Sequence, residues 1–358
     1  MLVVRGRHGC VHGHRRAFRH SDGDRKTAQI RTSYAVVAAD LLEVKRGEKL
    51  DVLDKVEFEK VLWYRVRAHD DSETEGWIEA QNLITSGTLE KSQKLAESFK
   101  NLPPQAAGQL RAKSNLRLES EVNSENILFK LASESNFEIM DWKFVPKQEL
   151  PDVDDAGKGE RAQAARKKNA DVEAAKEQGE PEKLDEKYDI WYLVKLDPSV
   201  SPAPAGWLFG RQVELQIPSE IVFFQSNNRK YVAWQRLDSE MATVTSGRSA
   251  TPGNWVILTR SNNVKAIDGV EPDFDGISVM AFDKYDQNYY TAWRTSGEVW
   301  GTVPMRVEGS GDSKTFTVQL RHPDGQMVEK RFVVFKDKSR IKVTPPEDIA
   351  QFQTLRGR

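Results

Sequence analysis

Cysteine is almost missing from this chain: Cys10 is the only one in 358 residues. That excludes an intramolecular disulfide and leaves no cysteine nucleophile in the patterned part of the sequence. Histidine is nearly as scarce, since four of the six lie before residue 34 and only His69 and His322 follow. Neither sign of charge is in excess, with Lys+Arg 53 against Asp+Glu 54. The electrostatic footprint of a nucleic-acid partner is therefore absent. No run approaches the roughly 18 consecutive apolar residues of a membrane helix, so no transmembrane span is predicted. A hydrophobic content of 38% and a mean hydropathy of -0.62 fit a soluble chain with polar stretches, long enough for two or three domains.

The scarcities extend to chemistry. His69 in "RAHDDS" and His322 in "LRHPDG" sit among turn residues, and no Gly-x-Ser-x-Gly elbow or phosphate-cradling glycine loop occurs. Nothing selects a carboxylate pair for glycoside hydrolysis. The best acidic cluster, "DGVEPDFDG", carries Asp268, Glu271, Asp273 and Asp275. Its Asp-x-Asp-Gly fragment leaves calcium open at Asp268, Asp273 and Asp275, but the full loop pattern is missing and ordinary turn chemistry accounts for it better. The expectation is a protein without catalytic residues, resident metal or cofactor.

Residues 1–29 are basic and show no hydrophobic period, so a disordered tail is predicted there. The apolar stretch ends at Val4, too short for a secretory signal. His8, Cys10, His12 and His14 lack the paired spacing of a structural zinc site.

What the chain does have is a repeat. "WYRVRAHDDSETEGWIEAQNL" from Trp63 and "WYLVKLDPSVSPAPAGWLFGRQVEL" from Trp191 share Trp-Tyr, an alternating strand, a polar loop, Gly-Trp-aliphatic and a closing apolar run. Trp63 and Trp77 are 14 residues apart and Trp191 and Trp207 are 16, the difference falling in the loop. "KLDVLDKVEF" and "LWYRVRA" alternate with period two, as half-buried strands do. Five short strands in such a length make a small barrel. The predicted units are 30–86 and 109–216. Between them, 87–108 reads as a short connecting helix stopped at Pro103-Pro104. The second unit carries an Ala-, Glu- and Lys-rich excursion over 146–187, without aromatics and with no stripe to dock it.

These residues resemble the bacterial SH3 (SH3b) family, twice in tandem. The likeness rests on "NLRLES" as the opening strand, "GEKLDVLDK", "WYRVR" and "WYLVK", and "GWI" and "GWL". The first unit departs from it, because "VVAADLLEVKRG" lacks the Asn-Val/Leu-Arg signature. The resemblance implies a non-catalytic binding or scaffold protein of the bacterial cell envelope, holding cell-wall peptide (peptidoglycan) or a peptide segment of a protein. It implies the envelope or periplasm if a leader precedes Met1, and the cytoplasm otherwise. The candidate ligand-binding residues are Trp63, Tyr64, Trp77, Trp191, Tyr192 and Trp207. Adjacent strand residues point to opposite faces, so one of each Trp-Tyr pair faces inward, and filling the barrel is the commoner role for Trp77 and Trp207.

From about Ile217 the pattern changes. Strands are predicted at "EIVFFQS", "KYVAWQRL", "NWVILTR", "GISVMAFDKY", "NYYTAWRT", "VPMRVEG", "KTFTVQL" and "MVEKRFVVFK", with a hairpin at Pro323-Asp324-Gly325. They imply an antiparallel β domain, barrel or sandwich, over 217–345, then a tail over 346–358. "DFDGISVMAFDKYDQNYYTAWR" and "GTVPMRV" resemble the region that follows paired SH3 modules in acidobacterial envelope proteins, which brings no activity with it. Aromatics at Tyr285, Tyr289, Tyr290, Trp293 and Trp300 keep a second reading open, a wall-targeted enzyme or carbohydrate-binding protein. A third, weaker reading is an intracellular adaptor for proline-rich partners. The fold class expected is all-β, two small SH3-like barrels plus a C-terminal β domain, with the oligomeric state left open.

Overall fold

The computed structural model describes residues 15–19, 27–45, 47–123, 126–147, 187–226, 228–238, 252–261, 263–310 and 313–354. The fold is all-β, with several antiparallel sheets. Most of the charged excursion, and His8, Cys10, His12 and His14, lie outside the described residues.

The first sheet contains β1 (Arg15–Arg19), β2 (Thr27–Arg31), β3 (Asp40–Lys45), β4 (Lys49–Phe58), β5 (Val61–Ala68), β6 (Glu75–Glu79) and β7 (Leu83–Thr85). The second contains β8 (Ala106–Leu110), β9 (Ser114–Arg117), β10 (Ile127–Leu131), β11 (Asn136–Pro146), β12 (Tyr188–Lys195), β13 (Ala205–Phe209) and β14 (Val213–Leu215). Their spatial orders are β3-β2-β6-β5-β4-β1-β7 and β10-β9-β13-β12-β11-β8-β14. Adding seven to every strand of the first order gives the second. A single 3₁₀ turn precedes the last strand of each, at Ala80–Asn82 and Gly210–Gln212. One object is built twice.

The period-two pattern explains the curl. In the first unit Ile30, Val44, Leu50, Val52, Val66, Ala68, Ile78 and Leu83 form one buried cluster. Val44 comes from one edge strand and Leu83 from the other, so the sheet curls around this core. The glycine of each Gly-Trp-aliphatic motif allows that curl. A Cβ on Gly76 would stand 2.5 Å from the Arg31 carbonyl oxygen, and one on Gly206 would stand 2.9 Å from that of Arg117.

Two segments expected to be tails differ from that reading. Arg15–Arg19 pairs with β4 on one side and β7 on the other. Its "RRAFR" sequence carries no alternation to announce a strand. At the other end, Phe352 is 5% exposed in the main core, and β24 (Gln353–Thr354) pairs with β19 (Glu298–Val299). Helix α1 (Ser86–Ser98) occupies the linker, capped by the Thr85 hydroxyl, which accepts from the Thr88 amide at 3.2 Å.

The C-terminal third is two four-stranded antiparallel sheets. One is β15 (Lys230–Arg236), β16 (Trp255–Arg260), β17 (Gly276–Asp283) and β18 (Asn288–Arg294) in sequence order. The other is β20 (Gly301–Ser310), β21 (Ser313–Arg321), β22 (Met327–Asp337) and β23 (Arg340–Thr344), also in sequence order. The β21–β22 hairpin turns through Gly325 at φ +94°, where glycine is favoured. Inside, Phe316 stacks on Phe332 at 4.5 Å. The expected strand "EIVFFQS" is instead a short helix, α2 (Ser219–Val222). Glu220 accepts from the Gly253 amide, the Trp255 indole and the Tyr289 hydroxyl, tertiary bonds that override strand propensity.

Gln105, wholly buried, joins the second barrel to this third. Its backbone bonds Ile139 of β11 and Trp234 of β15. Its side chain donates to the Met305 carbonyl at 3.1 Å and accepts from the Met305 amide at 2.7 Å. Among the described residues no helix is long and apolar enough to cross a membrane.

Candidate ligand-binding face

Strand alternation settles which of each Trp-Tyr pair is inside. Tyr64 packs against the first barrel's core beside Val66 and Ala68. Tyr192 packs against the main core beside Val194. Trp63 and Trp191 therefore point to the outer face of their sheets. So do the tryptophans opposite: Arg65 faces Trp77 in register, as Leu193 faces Trp207. Neither Trp77 nor Trp207 fills a barrel. The inward positions beside them are held by Ile78 and Leu208, both 0% exposed.

The two outer faces match residue for residue, with different fates. On the second barrel the face includes Met140, Val145, Trp191, Leu193, Ala205, Trp207 and Phe209. Helix α1 lies across it, contributing Leu95, Ala96 and Phe99, and together they form a cluster separate from either core. The Ser92 hydroxyl donates to the Ala205 carbonyl at 2.6 Å and accepts from the Ala205 amide at 3.0 Å. Trp191 and Trp207 are left 2% and 6% exposed. This face is shut by the chain itself.

On the first barrel the positions of Leu193, Ala205 and Phe209 are taken by Arg65, Glu75 and Glu79, by the pairing registers. Glu75 is bridged by Arg65 at 2.9 Å and by Arg67 at 2.6 Å. The Arg67 hydrogen bond holds the Glu75 carboxyl below its usual range, although burial opposes it. No helix is seated here among the described residues. The face instead carries a chain of rings, with Tyr34 of the β2–β3 loop 5.1 Å from both Trp77 and Phe58. Phe58 and Val61, paired across the hairpin tip, are 37% and 41% exposed. Trp63, on the same face, is 6% exposed. The turn between Phe58 and Val61 holds Glu59 and Lys60 both at positive φ, +50° and +64°, a conformation ordinarily given to Asn-Gly.

Of the six expected residues, Trp63 and Trp77 share this open barrel's outer face, Trp191 and Trp207 lie under α1, and Tyr64 and Tyr192 face the cores. Tyr34, Phe58 and Val61 were not singled out from the sequence. The consecutive apolar residues in "SYAVVAADLL", in a stretch without strand alternation, were the available signal.

The other candidates are occupied internally. Asp268 pairs with Arg321 at 2.9 Å, Asp273 accepts from the Val303 amide, and Asp275 accepts from Ser261. Among the described residues no group of three or more His, Cys, Asp or Glu is set to hold a metal ion. His69 pairs with Asp51 at 3.0 Å and His322 with Asp324 at 2.9 Å. In the C-terminal third Tyr290 accepts from the Ile341 amide, Trp293 packs on Phe332, and Trp300 is buried. Tyr285, 84% exposed, stands apart from them.

No family model matches this chain, and no curated protein matches it.

Proposed function

We propose that this is a non-catalytic binding or scaffold protein of the bacterial cell envelope that holds a peptide segment, of the cell wall or of a protein, on the outer face of its first barrel. One observation carries the reading. Of two equivalent faces built on the same register, one is covered by the chain's own helix, while the other carries Tyr34, Phe58 and Trp77 as a chain of rings, with Phe58 and Val61 exposed at the hairpin tip and Arg65 and Glu75 beside them. Ring surfaces beside charged rims suit a peptide, because aromatic area supplies affinity and the rim supplies orientation. The resemblance to bacterial SH3 modules supports the envelope and the ligand class. The scarcity of histidine and cysteine, and the internal use of the C-terminal aromatics, support binding over catalysis.

Cosedimentation of the full chain with purified peptidoglycan sacculi tests the wall arm. Retention that falls about tenfold on Phe58→Ser or Trp77→Ala is expected if wall peptide is the ligand. Retention unchanged by both substitutions moves the ligand off this face. No sedimentation at all removes wall peptide and leaves a protein segment.

A further inference from the structure

We infer that α1 is a strap with two positions: seated, it locks the first barrel to the rest of the chain, and released, it frees that barrel and uncovers Trp191 and Trp207 in one event.

The buried clusters divide the chain unequally. The first barrel has a core of its own, from Ile30 to Leu83, while a larger cluster runs from the second barrel into the C-terminal third. Among the described residues, Ile84 of β7 is the first barrel's sole member of that larger cluster, with Leu89 of α1 packed against it. Barrel and strap are continuous, because Thr85 both ends β7 and caps α1. No slack residue lies between them, so the first barrel follows whatever direction α1 takes. The helix lies against β1 and β7 of the first barrel and against β10 and β13 of the second.

Ser92, 0% exposed, is the catch. The Leu196 amide bonds the Pro204 carbonyl, so the amide and carbonyl of the next residue, Ala205, point away from β12. On that side β9 meets β13 at the single pair Trp207–Arg117 and leaves Ala205 to α1. One hydroxyl, that of Ser92, serves both Ala205 groups. Leu95, Ala96 and Phe99 complete the seat on Trp191 and Trp207. With 13 residues, α1 has the length at which an isolated helix is marginal in water, so its seat is what keeps it helical. Released, the rigid arm becomes a tether.

The test uses the full chain with Cys10→Ser, which removes the sole cysteine, and a fluorophore pair on Val36→Cys and Tyr285→Cys, both at exposed positions. The parent is expected to give one narrow distribution of transfer efficiency. Ala96→Pro breaks the helix. It is expected to broaden that distribution and to raise oxidation of Trp191 and Trp207 at least about tenfold, with the Val66 and Ile78 amides still protected from exchange. Ser92→Ala is the milder release, expected to speed exchange of the Ala205 amide about tenfold and to broaden the distribution in part. If the proline chain fails to fold, Ser92→Ala alone decides. A parent distribution already broad overturns the inference. So does exposure of Trp191 and Trp207, or of the Ala205 amide, at an unchanged distribution, because other contacts then hold the barrel. Broadening with both tryptophans still covered places the joint elsewhere and overturns it too. Loss of protection at Val66 and Ile78 in the released chain shows that the first barrel does not stand alone, which also defeats it.

Discussion

Trp77 and Trp207 stand at one position of a duplicated sheet, paired to Arg31 of β2 and Arg117 of β9, yet among the described residues only Trp207 lies under a helix. The difference traces to the positions flanking each tryptophan. Leu193 and Ala205 give α1 an apolar floor, whereas Arg65 and Glu75 give an ion pair. The duplicated surface keeps its tryptophans and recharges their flanks on the first barrel.

The clamp makes a stability contrast. Phe99, the C-cap of α1, is 3% exposed on the covered face, and Phe58 is 37% exposed on the other. Phe99→Ala is expected to cost about 3–5 kcal/mol and to red-shift emission as Trp191 and Trp207 meet water. Phe58→Ala is expected to cost under about 1 kcal/mol. Urea unfolding of both variants compares them directly; equal losses would mean that α1 contributes no more than a surface contact.

The Glu59-Lys60 turn is strained, since both residues sit at positive φ without being glycine. Replacing the pair by Asn-Gly is expected to stabilise the chain by roughly 1 kcal/mol, read as a raised melting temperature. A lowered one would show that the two native side chains are held by bonds worth more than the strain.

Gln105→Ala removes three side-chain bonds at a fully buried site and leaves the Met305 amide and carbonyl without that partner. A loss of about 1–3 kcal/mol is expected. Hydrogen exchange at the Met305 amide should accelerate before that of the Phe316–Phe332 core. Uniform acceleration instead would mean that the second barrel and the C-terminal third unfold as one.

Asp273 gives a pH dependence. Burial raises its carboxyl to about 7, and the nearby Asp141 adds to the rise. The Val303 amide, the Arg260 guanidinium and the Trp142 side chain act the other way. A raised acid binds its proton more tightly folded than unfolded, so stability is greatest at low pH and declines from about pH 4 to about pH 7. The slope is at most about 1.4 kcal/mol per pH unit. Glu75 and Asp348, held low by Arg67 and Lys330, act oppositely and at more acid pH. Asp273→Asn should flatten the profile between pH 5 and 7, measured by denaturation at each pH. An unchanged profile would show that Asp273 ionises freely in the fold.

Much of the architecture was legible because period two survives burial. The Trp63 and Trp191 strands, the Gly-Trp motifs and the C-terminal hairpins all announce themselves. Strands without alternation did not: "RRAFR" of β1 is polar and basic, and "AAGQL" of β8 is small. "EIVFFQS" carried strand propensity, but Glu220 is captured by three distant donors. The candidate site was half visible. Alternation says that Trp and Tyr diverge, but not which is inside; that depends on which face the curl encloses. The seating of α1 was invisible because Ser92 and Ala96 do not look like a docking stripe until Ala205 is opposite.

Hydroxyl-radical footprinting of the full chain, resolved by residue, bears on the asymmetry of the two faces most directly. Oxidation concentrated at Tyr34, Phe58 and Trp77, with Trp191 and Trp207 protected until Phe99→Ala unseats α1, is the expected pattern. Trp191 and Trp207 modified as fast as Trp77 in the unaltered chain would contradict it.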